Sequence, residues 1–303
     1  MEVVGAFACS HAGLIYERRE QAPPEQLAAV LDGYGRMRRT IEELAPDALV
    51  VVGTDHGKIY PLTCSPQYVI GVSERARGIG DATLPRYEAP LHQELAQSLL
   101  LGGMQRGIDF AFSEDMAIDH SFVTVLMLTN PEARFPIVPV VQNCNVAPRP
   151  ALIRSYKVGK KLGKALRGGP KGRVVVIGTG GLSHWVGSAE RRAFNSRPPG
   201  SRLPRMSECP PLVLEPTGPI NVEFDHLFLD VMKLGQARSF AHEWSDERLE
   251  DTAGNGAHEL RNWLTVAGIT GDCPAEVLAY EPVAEWLTGF GVIQFKLGEH
   301  PWP

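Results

Sequence analysis

Nine histidines stand in this 303-residue chain, and four share a context. His11 follows the apolar run 3–8. His56 follows the run 48–52, in Thr-Asp-His-Gly. His120 sits in Ile-Asp-His-Ser, and His184 ends Gly-Thr-Gly-Gly-Leu-Ser-His after the run 173–177. In an open α/β sheet, loops at the carboxyl ends of strands converge on one crevice, so histidines far apart in sequence can meet there. Neutral imidazole suits Fe, Zn, Cu and Ni. Two histidines with one carboxylate leave coordination positions open, the arrangement of non-haem Fe(II) sites that use oxygen. Spacing alone leaves the carboxylate open among Asp55, Asp119, Glu223 and Glu259. Asp55 and Asp119 directly precede histidines, so on extended backbone their side chains point the other way. Turn hydrogen bonding or histidine orientation is their plainer role. Glu259 falls early in an amphipathic helical pattern, where a solvated first-turn glutamate is the plainer reading.

Other chemistries find little support. Gly178-Thr-Gly-Gly181 lacks the GKS/T or spaced GxGxxG of a phosphate loop. A tight turn presenting His184 explains its glycines better. No GxSxG elbow occurs, and Ser10 and Ser183 merely neighbour histidines. His92, His226, His242 and His300 lack a strand-end context, and His258 should face away from Glu259 on a helix.

The elements that must position these residues alternate. Residues 25–45 carry apolar positions at helical spacing and end near Pro46. Helical patterns recur at about 91–101, 151–166, 222–234, 246–251 and 255–267. Strand patterns recur at 110–112, 135–141, 173–177 and 291–295. Continuous apolar strands between helices predict an α/β fold, a three-layer α/β/α sandwich with a mainly parallel or mixed central sheet. The composition breaks once, at 194–219, which holds seven prolines and several arginines. It reads as a long loop over one domain spanning 1–303. Lys+Arg is 30 against Asp+Glu 35, a net charge of −5, with no basic surplus for general nucleic-acid binding. The hydrophobic fraction of 44% excludes disorder as the main state. No apolar run approaches the ~18 residues of a membrane helix. The start has no basic n-region, so no secretory signal is expected. Five scattered cysteines without a CxxC pair indicate neither a disulfide framework nor a zinc finger, so a cytoplasmic location is expected.

Six collinear stretches carry a resemblance. They are Cys9-Ser-His11, the run 45–56 ending Gly-Thr-Asp-His56, Met116-Ala-Ile-Asp-His120, Gly178–His184, Gly256-Ala-His-Glu-Leu-Arg-Asn-Trp263 and Glu285-Trp-Leu-Thr-Gly-Phe-Gly291. Together they resemble the class III (LigB-type) extradiol ring-cleaving dioxygenases over nearly the whole chain. The resemblance implies a non-haem Fe(II) enzyme that inserts O₂ into a catechol-type ring during aromatic degradation. It implies His11, His56 and Glu259 as iron ligands, and His184 and His120 as the residues that move protons. Histidine can serve as both acid and base near neutrality.

Three departures bear on the substrate: Trp185, the 194–219 stretch, and the loop 12–19 after His11. A carboxylate tail on the ring would call for arginine. Arg18, Arg19, Arg191, Arg192, Arg197, Arg202 and Arg205 are the candidates, with Trp185 and Asn143 as further pocket residues. An aminophenol-type dioxygenase of the same family and a zinc metallohydrolase on the same fold are the alternatives. The partners expected are a small aromatic diol and O₂, with no nucleic acid and no membrane. The 285–291 match implies a homo-oligomer, with a small partner subunit as the other possibility.

Overall fold

The computed structural model describes residues 1–198, 201 and 217–298. Arg202, Arg205, His300 and most of the Pro/Arg-rich stretch lie outside the described residues. Eleven strands are described: β1 (Glu2–Cys9), β2 (Ala48–Gly53), β3 (Tyr68–Gly71), β4 (Arg75–Gly78), β5 (Glu88–Pro90), β6 (Ala111–Ser113), β7 (Met116–Ile118), β8 (Ile137–Gln142), β9 (Arg173–Thr179), β10 (Ala275–Val283) and β11 (Thr288–Phe295). The helices are α1 (Leu14–Glu17), α2 (Pro24–Leu44), α3 (Gln93–Gln105), α4 (His120–Thr129), α5 (Leu152–Arg167), α6 (Ala189–Asn195), α7 (Val222–Lys233), α8 (Ala237–Glu243), α9 (Asp246–Ala253) and α10 (Leu260–Thr270).

Eight strands form one mixed sheet in the order β10-β11-β1-β9-β2-β8-β3-β6. The central four, β1, β9, β2 and β8, are parallel. Strands β11 and β10 extend one side antiparallel, and β3 turns antiparallel on the other. The Val-rich runs of β2 and β9 are buried on both faces, which explains their lack of polar alternation. Leu49, Val51, Val175 and Ile177 pack with Val30, Tyr34, Met37 and Ile41 of α2. Val50, Val52, Val174 and Val176 pack on the opposite face with Leu162 of α5 and Leu264 of α10. Each such fully buried side chain contributes roughly 1.5–3 kcal/mol. The predicted α/β/α layering is therefore what the sheet needs to cover both faces.

Helix α2 begins with a proline in its first turn and ends at Ala45, left-handed at φ 41°, just before Pro46. The sequence pattern missed a second, three-stranded sheet, β5-β4-β7. Its strands are three or four residues long, too short to show a period. The expected helix at 255–267 also differs. Residues Asn255–Glu259 form a 3-10 turn, and α10 begins only at Leu260. Gly254, at φ 89°, sets off that turn from α9.

Candidate metal centre and active site

Parallel pairing brings the ends of β1, β9 and β2 side by side, and the residues just beyond them form the site. His11 lies two residues past β1 and is 3% exposed. Its Nδ1 is 3.1 Å from Thr179 Oγ1, at the end of the neighbouring β9. Its Nε2 is 3.1 Å from Glu259 Oε2. His56 follows β2, with Nε2 2.9 Å from the other oxygen, Glu259 Oε1. Two imidazoles thus converge on one buried carboxylate.

Each partner is fixed from behind. Asp119 Oδ2 accepts the His56 backbone N–H at 2.9 Å and lies 2.9 Å from its Nδ1. Asp119 also caps α4, its Oδ1 accepting the Ser121 N–H. The orientation role suggested by its position next to His120 is real, but it serves His56. Asp55 accepts the backbone N–H groups of Lys58, Ile59 and Tyr60, which fixes the turn after His56. Glu259 is 2% exposed, not a solvated first-turn residue, and its Oε2 accepts the Gly181 N–H. Glu223, the remaining spacing candidate, is exposed on α7. The next turn of chain ties Glu259 to the strand ends. Asn262 Nδ2 donates to Thr179 O and Trp263 Nε1 to Gly180 O.

Electrostatics follows from burial and pairing. Burial favours a protonated Glu259, yet the facing His11 and His56 outweigh it and hold the carboxyl well below its usual range. Burial likewise opposes protonation of His56, but Asp119 and Glu259 raise it overall. Burial lowers both His11 and His184.

His184 and His120 complete the cluster. His184 Nδ1 donates to Leu182 O at 2.9 Å, which leaves Nε2 with its lone pair, 3.9 Å from Glu259 Oε2. Its ring is clamped by glycine backbone. A Cβ on Gly181 would lie 2.5 Å from its Cε1, and one on Gly256 2.1 Å from its Nε2. Within 178–181 that close approach accounts for Gly181 alone, since Gly178 packs on the Asn262 backbone and Gly180 on Glu259. His120 is the first residue of α4 and stacks on His56 with ring centroids 4.0 Å apart. Nitrogen atoms of His11, His56 and His120 lie within 4.8 Å of one another.

These residues floor a cavity of about 160 Å³. A space of about that size admits a benzene ring. Leu14, Trp185, Val186, Trp286 and Leu287 supply apolar walls. Trp185 is one of these walls, backed by Arg192 at 5.0 Å from its ring. Asn143 does not line the cavity. Its carboxamide binds Val146 N and O, a structural turn. Arg18 and Arg19 are absent from the walls. Arg18 Nη1 reaches Glu285 O, and Arg19 is exposed on a 3-10 turn. Sequence reasoning missed Asp81 and Lys58, both on the lining. His92 caps α3, His226 packs on Tyr280, and His258 is buried against Glu250 and Arg261.

Two imidazoles and one carboxylate presented from one side form a donor set suited to a divalent transition metal with open positions. The Nδ1 partners of His11 and His56 hold the rings so that each Nε2 faces the carboxylate.

Comparison with known proteins agrees. Residues 5–291 match the family model described as the catalytic LigB subunit of aromatic ring-opening dioxygenase. The chain is 30% identical over 294 residues to a 2,3-dihydroxyphenylpropionate/2,3-dihydroxicinnamic acid 1,2-dioxygenase of Klebsiella pneumoniae, covering 88% of this chain and 92% of that one. It is 27% identical over 309 residues to a protein of the same name from Rhodococcus globerulus, covering 95% and 96%. The fold is similar to a crystal structure of an uncharacterized Escherichia coli K12 protein, with a TM-score of 0.52 and 16% identity over 96% of this chain and 99% of that one. The chain belongs to the LigB family and is an aromatic ring-opening dioxygenase of the extradiol kind.

Proposed function

We propose that the chain opens substituted catechols beside their two hydroxyls, with Fe(II) held by His11, His56 and Glu259. The observation that carries the assignment is the meeting of His11 Nε2 and His56 Nε2 on the two oxygens of Glu259, at 3.1 and 2.9 Å. When bound, Fe(II) supplies open positions for a ring diol and O₂ together and the electron flow that lets them react.

The protein's own groups then manage protons. His184 is lowered by burial and has Nδ1 committed to Leu182 O. Its other nitrogen, Nε2, would accept a proton from a ring hydroxyl and give it back to oxygen later in the reaction. His120, with Nδ1 held by Asp81, offers its other nitrogen to a ring hydroxyl or to the oxygen. Its stacking on His56 and its Asp81 contact favour this role over that of a further ligand. The apolar walls exclude water and present the ring to the histidine floor.

On the same reading, residues 1–303 act as one domain. The family match running over 5–291 supports this. The chain works in the cytoplasm as a homo-oligomer without a small subunit. Among the described residues no helix is long and apolar enough to cross a membrane. The test is metal analysis and ring cleavage after anaerobic Fe(II) loading of wild type and His56→Ala. Wild type should hold one iron and open a catechol, and the variant should lose both. Stoichiometric iron retained by His56→Ala would overturn the ligand assignment.

A further inference from the structure

The geometry points to Lys58 as the residue that selects ring diols carrying an anionic tail. This inference rests on the ring-cleavage reading above. Lys58 stands two residues after His56, on the lining of the same cavity. Its backbone is fixed, because Asp55 Oδ1 accepts its N–H at 2.9 Å within the three-amide turn. Its ammonium is exposed and makes no hydrogen bond or ion pair among the described residues.

The other charges around the cavity are committed. Glu259 faces His11 and His56, and Asp81 faces His120. Among the described lining residues Lys58 is the one lysine or arginine. Two of the arginines expected to serve as anchors are engaged elsewhere. Arg18 reaches Glu285 O, while Arg192 binds Gly187 O and Thr217 Oγ1 behind Trp185. An anionic tail entering this space would meet apolar walls and two carboxylates, which is costly unless a cation pairs with it. Lys58, exposed and on the lining, is the group available to do so. A point charge on a flexible stem imposes little geometry, so tails of different length but the same sign should be accepted.

The test compares two ring diols of similar length, 2,3-dihydroxyphenylpropionate and its methyl ester, with Fe(II)-loaded wild type, Lys58→Met and Lys58→Glu. Lys58→Met should raise KM for the carboxylate about tenfold, with little change in KM for the ester, because a tail contact is mainly uniform binding. Lys58→Glu should raise it further, and the wild-type preference should shrink in high salt. Equal KM changes for both diols, or none for either, would overturn the inference. Calorimetric binding of 3-phenylpropionate, which lacks the diol, gives a readout independent of turnover. Weaker binding by Lys58→Met would support the anchor even if wild type opened neither ring, an outcome that would sink the ring-cleavage reading alone. Equal binding by both proteins would remove the anchor.

Discussion

The Asp81 carboxylate stands 2.5 Å from Nδ1 of His120, although 39 residues separate them. The small sheet creates this contact. Strands β4 and β7 pair in parallel with Gly78 opposite Ile118, so the chain leaving each strand enters the cavity at the same place. Asp81 is followed by two non-glycine residues in the left-handed region, Ala82 at φ 52° and Thr83 at φ 55°. Such backbone costs on the order of 1 kcal/mol or more per residue and persists where surrounding structure imposes it.

Asp81 should therefore act through His120. Asp81→Ala should lower kcat by about 10- to 100-fold while iron content stays stoichiometric, the usual scale for losing an orienting partner. Asp81→Asn keeps an acceptor for Nδ1–H and should recover part of that loss. Steady-state kinetics with iron analysis on both variants checks this. Equal activity in all three proteins would remove the orienting role.

Asp119 should act on the metal instead. It holds His56 at both its backbone N–H and its ring. Asp119→Ala should weaken Fe(II) binding by about 10- to 100-fold. It should also cost about 1 kcal/mol through the lost cap of α4. Competition against a calibrated chelator reads the first effect and denaturant unfolding the second. Unchanged metal affinity would contradict the account of His56.

Gly256 has a narrower task. An added Cβ would lie 2.1 Å from His184 Nε2, so Gly256→Ala must displace that ring. Misplacing a reacting group by about 1 Å can cost about 100-fold in rate. The variant should lose activity on that scale yet keep its iron. Full activity would show that His184 does not need this position.

His258 gives the fold an acid limit. Its Nδ1 accepts from Arg261 Nη1 at 2.9 Å and its Nε2 lies 3.0 Å from Glu250 Oε2, an arrangement that holds the neutral ring. Burial, first of all, pushes its pKa down to about 4. The unfolded chain, titrating near 6.5, binds more protons between these values, so stability falls as pH drops through that window. The loss amounts to about 3 kcal/mol. It is complete below pH 4 and absent above about 6.5. Thermal unfolding from pH 7 to 4 should show a shallower decline in His258→Gln than in wild type. Parallel curves would contradict it.

The parts of this site that sequence made legible share one physical cause. His11, His56 and His184 follow long apolar strands of the parallel centre, and strand ends in such sheets point to one crevice. The layering was legible because β2 and β9 bury both faces. Glu259 was not selectable by pattern, because a 3-10 turn and not a helix start presents it. Asp81 was hidden in a loop whose neighbours are strands of three or four residues. Lys58 carries no periodic signal, and two of the arginines that seemed better anchors by chemistry have other partners: Arg18 reaches a carbonyl, and Arg192 is spent on a carbonyl and on Trp185. Asn143 sat at a strand end like the histidines, yet its side chain closes its own turn.

We propose that His11, His56 and Glu259 hold an Fe(II) that opens a catechol ring with O₂. Oxygen consumption by anaerobically Fe(II)-loaded protein, given a limiting amount of 2,3-dihydroxyphenylpropionate, tests it most directly. The expected result is one O₂ consumed per ring opened, with a yellow product, and no reaction from zinc-loaded protein or from Glu259→Ala. Stoichiometric iron with no oxygen uptake across a panel of substituted catechols, or equal turnover by the zinc-loaded protein, would contradict it.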